Sequence, residues 1–169
     1  LLLSLCTLAV TAQSMPKREF RGAWIQIING QFQGMDRPQM QANLTHQLDV
    51  LKACGVNAIM FQVRGEADAL YASPYEPWSR FLTGQQGRAP QPYWDPLAWM
   101  VEQCHRRGME LHAWINPFRA KTKGTTELAT THYYIQHPER CFSYDGLLIM
   151  DPALQENRVY ICRIAADIV

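Results

Sequence analysis

The chain has 169 residues, 47% of them hydrophobic and 18% charged, with a formal net charge of +1 at neutral pH. Such a composition builds a globular domain with a core and excludes disordered and collagen-like classes. A near-zero charge with scattered Lys and Arg leaves no electrostatic footprint for nucleic acid, and no basic amphipathic segment marks a membrane surface.

Residues 1–12 are apolar or small, and Val10 and Ala12 occupy the small-residue positions that precede a signal-peptidase cut. The stretch reads as the later part of an export leader, shorter than the ~20 residues of a membrane span. Leu5 before Cys6 is too large for a lipoprotein signal, so cleaved secretion is expected, to the periplasm, cell surface or medium. The rival reading of this stretch is a buried N-terminal helix. Export permits disulfides, but Cys54, Cys104, Cys141 and Cys162 show no paired or metal-type spacing. Core packing of free thiols is the expectation.

Residues 21–27 predict a first strand, with Ala23, Ile25 and Ile27 on one face and Gly22, Trp24 and Gln26 on the other. Asp36 and Pro38 then supply a cap and a first-turn proline for a helix over 38–54, with Met40, Leu44, Leu48 and Leu51 as its stripe and Gly55 as its stop. A second strand follows over 57–64. Ile59, Phe61 and Val63 alternate with Met60, Gln62 and Arg64, so polar groups gather at the end where parallel α/β sheets place ligands.

Residues 65–94 are irregular, with four prolines, three glycines and the aromatics Tyr71, Tyr75, Trp78, Phe81, Tyr93 and Trp94. Disordered segments are poor in aromatics, so this long connection reads as an ordered binding loop. Asp95-Pro96 repeats the cap signal for a helix to Arg107 with Leu97, Val101 and Cys104 as its stripe, and residues 109–116 predict a third strand that puts His112, Trp114 and Asn116 on the polar face. Residues 121–137 read as a polar, Thr-rich connection and 147–150 as a short apolar piece. Asp151-Pro152 reads as the start of a third helix, with Leu154, Ile161, Ala165 and Ile168 as its stripe. Three β–loop–α units cannot cover both faces of a sheet, which predicts part of a larger α/β domain.

Several motifs occur in order: Phe20-Arg-Gly-Ala-Trp24, Phe61-Gln-Val-Arg64, Asp68-Ala-Leu-Tyr71, Tyr75-Glu-Pro-Trp78, Leu82-Thr-Gly84, His112-Ala-Trp-Ile-Asn-Pro-Phe-Arg119 and Asp151-Pro152. Together they resemble the bacterial glycosyl-hydrolase-like family ten over residues 17–169. The resemblance implies the fold of a (β/α)₈ TIM barrel, truncated here to roughly its first three β–α units, since a full barrel needs ~250 residues. It also implies an exported protein acting on cell-wall or other complex glycans, with its acidic catalytic motif on a later strand. The catalytic residues therefore stay unassigned.

On barrel geometry the inward row is Trp24, Gln26, Gln62, Arg64, His112, Trp114 and Asn116. Sugars present hydroxyls and flat C–H faces, which amides, guanidinium groups and aromatic plates recognise. Trp24, Trp114 and His112 fit either a sugar platform or simple filling of the interior. Arg64 at a buried strand end needs a partner, for which Glu66 or Asp68 are the candidates. Asp68, Tyr71, Glu76 and Trp78 either shape a subsite or brace the long loop, and Arg119 is placed to take a substrate carboxylate bidentately.

The leading expectation is a secreted glycosidase acting on a glycan, peptidoglycan included; the alternative is a non-catalytic glycan-binding barrel. A metal-dependent deacetylase fits poorly, since His112-Ala-Trp114 lacks the second His of an HxH pair and His46, His105, His132 and His137 have no ligand spacing. Neither a metal nor a cofactor is expected.

Overall fold

The computed structural model describes residues 19–169; the leader expected over 1–12 lies outside the described residues, as do positions 17 and 18 of the expected domain. Strands β1 (Gly22–Ile25), β2 (Ala58–Arg64) and β3 (Glu110–Ile115) form one parallel sheet in the order β1-β2-β3. In register, Trp24 stands opposite Met60, Met60 opposite His112, and Gln62 opposite Trp114. Parallel neighbours cannot be joined by a tight turn, and the two crossovers carry α1 (Arg37–Ala53) and α3 (Pro96–Arg106).

Both helices start at the expected aspartates. Asp36 accepts from the Gln39 N–H at 2.9 Å while the Gln39 side chain accepts from the Asp36 N–H at 3.0 Å, a complete capping box. Asp95 accepts from the Ala98 N–H at 2.9 Å, with Pro96 in the first turn. On β2, Ile59, Phe61 and Val63 are fully buried in one cluster with Ile25, Ile27, Leu44, Leu48, Met100 and Cys104. Each large side chain so buried contributes about 1.5–3 kcal/mol. Helix-on-sheet packing therefore holds this layer together, with Met100 replacing the expected Val101 at the centre of the α3 face.

The long connection after β2 folds back on itself. Ala69 pairs with Trp78, Ser79 donates its N–H to Ala69 O at 2.8 Å, and the short helix α2 (Arg80–Thr83) follows.

Beyond β3 the sequence expectations need correcting. Strands β4 (Arg119–Lys121), β5 (Cys141–Tyr144) and β6 (Leu147–Met150) form a second, antiparallel sheet in the order β4-β6-β5. The stretch taken as a polar connection contains part of β4 and the short helix α4 (Tyr133–Gln136). The final helix, α5 (Gln155–Ile168), begins later than Asp151-Pro152 suggested, because Asp151 caps a turn at Ala153 instead. Its most buried side chains are Asn157 and Ile164, with Ile161 and Ile168 half-buried, whereas Ala165 is exposed. The four described cysteines are free; only Cys104 is a core residue, Cys141 is half-buried, and Cys54 and Cys162 are exposed. Among the described residues no helix is long and apolar enough to cross a membrane.

Candidate functional site

One amide ties the C-terminal ends of the three parallel strands together. Gln62, fully buried, accepts from the Ile27 N–H at 2.9 Å and donates to Asn116 Oδ1 at 2.7 Å. Because side chains alternate along a strand, Gln62 and Arg64 leave β2 on the face opposite Phe61 and Val63. Asn116 spends its oxygen on Gln62, which leaves Nδ2 solvent-accessible and without a protein partner among the described residues.

Arg64 is fully buried and grips Glu76 bidentately, with Nε 2.8 Å from Oε2 and Nη2 2.6 Å from Oε1. Its Nη1 donates to the carbonyls of Asn116 at 2.5 Å and Pro117 at 3.1 Å, while the Tyr160 hydroxyl donates to Glu76 at 3.2 Å. Burial disfavours the charge, but the Glu76 carboxylate more than offsets it and holds the guanidinium above its ordinary pKa. The expected partners, Glu66 and Asp68, are thus replaced by Glu76. The Ala69–Trp78 fold-back returns Glu76 to the strand end, and the two earlier carboxylates are engaged elsewhere.

Glu66 is fully buried and accepts from Thr122 N at 2.7 Å, Thr125 Oγ1 at 2.6 Å and Arg80 Nε at 3.2 Å. Burial alone would push its carboxyl up, but the bonds from Thr122 and Thr125 and the Arg80 charge hold it below the usual range. Asp68, also fully buried, goes the other way. Burial pushes it up, with the Glu66 charge adding to the effect, although it accepts from Glu66 N at 3.0 Å and Gln86 Nε2 at 3.2 Å. Between them Ala67 stands at φ +50°, a left-handed conformation costing a non-glycine residue about 1–2 kcal/mol. His132 helps over-determine it. Its Nδ1 accepts from Tyr134 N at 3.2 Å, so the proton sits on Nε2, shared between Glu66 O at 2.8 Å and Ala120 O at 3.1 Å.

Arg119 reaches the same rim. Its Nε donates to Gly65 O at 2.8 Å, and its Nη2 is buried with no partner. At position 65 a Cβ would lie 3.0 Å from Ile28 Cγ2. The segments that follow β1, β2 and β3 therefore converge at Gly65, the position a sheet-end ligand site requires.

The remaining expected site residues lie apart from this cluster. Trp24, 65% exposed, meets Trp114 edge-on at 4.9 Å, and His112 packs edge-on against Phe20 and contacts exposed Glu110. These groups occupy the uncovered face of the parallel sheet, below the rim by register, and Trp24 and Trp114 line a cleft of about 360 Å³ together with Gln26 and Gln31. Tyr71 is buried, its phenol pushed up by burial and its hydroxyl unpartnered. Trp78 is half-buried against Tyr93 at 6.2 Å. Asp68 and Glu76, expected either to shape a subsite or to brace the loop, have their carboxylates bonded to Glu66 N and Gln86 and to Arg64, respectively. Sequence reasoning missed Arg80, Thr125 and His132 as supports; Arg80 and Thr125 also border a polar cleft of about 670 Å³. A helix-cap pattern at His132 was the only local signal, since Glu66, the partner all three share, lies 14 to 66 residues away.

The model of the family described as glycosyl hydrolase-like 10 matches residues 19–169. The chain is similar to glycosyl hydrolase YngK of Bacillus subtilis (strain 168), 34% identical over 164 residues that cover 94% of this chain and 32% of that protein. It is also similar to glycosyl hydrolase DigH of Escherichia coli (strain K12), 36% identical over 143 residues that cover 79% of this chain and 32% of that protein. The chain therefore spans about a third of the length of the curated relatives it matches. With the family match running from the first described residue to the last, the chain belongs to the glycosyl hydrolase-like 10 family.

Proposed function

We propose that this chain is the first part of a (β/α)₈ barrel in an exported glycoside hydrolase that cleaves glycosidic bonds of a cell-wall or other complex glycan. The observation that carries the reading is the Gln62–Asn116–Arg64 network at the C-terminal ends of three parallel strands, where barrel enzymes bind substrate. The apolar leader over residues 1–12 supports export. Glycosidases use two carboxyl groups flanking the scissile bond. Glu66, Asp68 and Glu76 are all buried in structural bonds. The acid/base pair is therefore assigned to the two thirds of the relatives' length that this chain does not cover.

The same three committed carboxylates also suit a glycan-binding barrel without catalysis, so the test must separate the two. Whole protein and the stretch 19–169 are incubated with defined glycans, including peptide-free peptidoglycan strands, and products are resolved by mass spectrometry. Cleavage by the whole protein only is expected. Binding without cleavage by either selects the non-catalytic barrel, and neither binding nor cleavage overturns both.

A further inference from the structure

We propose that Gln62 is a positioning residue: it turns the side-chain amide of Asn116 so that the NH₂ group, rather than the oxygen, is offered to an acceptor oxygen of the bound glycan. The inference rests on the glycan reading above and adds the polarity of one contact and the residue that sets it. An asparagine amide can present either end, and the two ends fit opposite partners. Here the choice is fixed from the backbone. The Ile27 N–H can only donate, so the Gln62 atom 2.9 Å from it must be Oε1. Gln62 Nε2 then faces Asn116, and only Oδ1 can meet it, at 2.7 Å. Turning Asn116 over would set one NH₂ against another beside a fully buried amide, which would lose its partner.

The rest of Asn116 is held as firmly. Its N–H donates to Arg64 O at 3.0 Å and its carbonyl accepts from Arg64 Nη1 at 2.5 Å, while Arg64 is itself clamped by Glu76. Backbone and Oδ1 are thus engaged by β2, which leaves Nδ2 as the polar group of Asn116 without a protein partner among the described residues. All of these bonds join the ends of β1, β2 and β3, so they set the orientation whatever the remaining polypeptide adds at the rim. A donor fixed before its ligand arrives costs no reorganisation when it is used. Sugar hydroxyls accept from such a donor, and the ends of barrel strands are where substrate lies. Gln62 has no exposed surface and so acts through Asn116.

The test measures Kd of the whole protein for peptide-free peptidoglycan strands and for chito-oligosaccharides, with kcat where cleavage occurs. N116A and N116D are each expected to bind the preferred glycan about tenfold more weakly, the worth of one hydrogen bond, although N116D still offers Gln62 an acceptor. Q62M, close in shape but without an amide, is expected to weaken binding too, and to add nothing in the Q62M/N116A double variant, because its effect passes through the Asn116 amide. Losses that add in full overturn the positioning role. Wild-type binding by N116D overturns the donor contact, a result that needs no change at Gln62. A fall in kcat with Kd unchanged puts the acceptor on the enzyme's own machinery and overturns the glycan contact. No binding of either glycan by wild type overturns the glycan reading itself.

Discussion

Arg64 holds its charge with no solvent contact, and each of its three guanidinium nitrogens is occupied: Nε and Nη2 by Glu76 and Nη1 by two backbone carbonyls. Breaking a buried pair by removing one partner costs about 3–5 kcal/mol, because the other charge is left uncompensated. Glu76→Ala is therefore expected to destabilise the whole protein by that amount in urea unfolding. A loss below about 1 kcal/mol would mean that the pair is hydrated and that the strand end is not closed as described. The residue scale also shows where sequence reading stops. That Arg64 must be paired follows from its place in an apolar strand, whereas the choice of Glu76 over Glu66 and Asp68 depends on a chain reversal between Ala69 and Trp78 that no local pattern encodes.

At the scale of elements, what was legible was what is local. The aspartate caps of α1 and α3 and the alternation of Ile59, Phe61 and Val63 place helices and strands directly. Asp145-Gly146 was equally local and went unused: both residues have positive φ, 47° and 75°, as the tight turn joining β5 to β6 requires. Asp151-Pro152 misled because the same dipeptide that caps a helix also caps a turn. The link between the long connection after β2 and the segment after β4 was not local, since it runs through Glu66 to Arg80, Thr122 and Thr125.

That link titrates. Glu66 is held below its unfolded value of about 4.3, so the stability it contributes is present above that pH and is lost as pH falls through the folded value. Asp68 runs oppositely: its folded value is raised, so its contribution is greatest in acid and declines as pH rises through the folded value. Glu66→Gln keeps the shape but turns an amide donor toward donors that the carboxylate satisfied. It is expected to cost about 1–3 kcal/mol at pH 7, with the difference from wild type shrinking towards pH 3. Urea unfolding at both pH values checks this, and a pH-independent difference would rule out ionised Glu66 as the link.

For the whole molecule, the open question in the fold is the uncovered face of the parallel sheet. Trp24 is 65% exposed and Phe20 62%, and among the described residues β1 and β3 each pair with β2 alone. Parallel sheets are covered on both faces almost without exception, and unpaired strand edges invite aggregation. In a closed barrel, the same row of Trp24, Trp114 and His112 would face other strands across the interior. The barrel reading therefore makes a residue-level demand on the whole protein. Under hydroxyl-radical footprinting read by mass spectrometry, with each residue normalised to its rate in the unfolded chain, Trp24 should be protected at least several-fold more than Tyr144, which is 67% exposed on the far sheet. Protection of Trp24 equal to that of Tyr144 would mean that the rest of the polypeptide does not close over this face. Barrel closure would then fail as an explanation of why a Trp sits in the middle of β1, while the rim built on Gln62, Arg64 and Asn116 would stand unchanged.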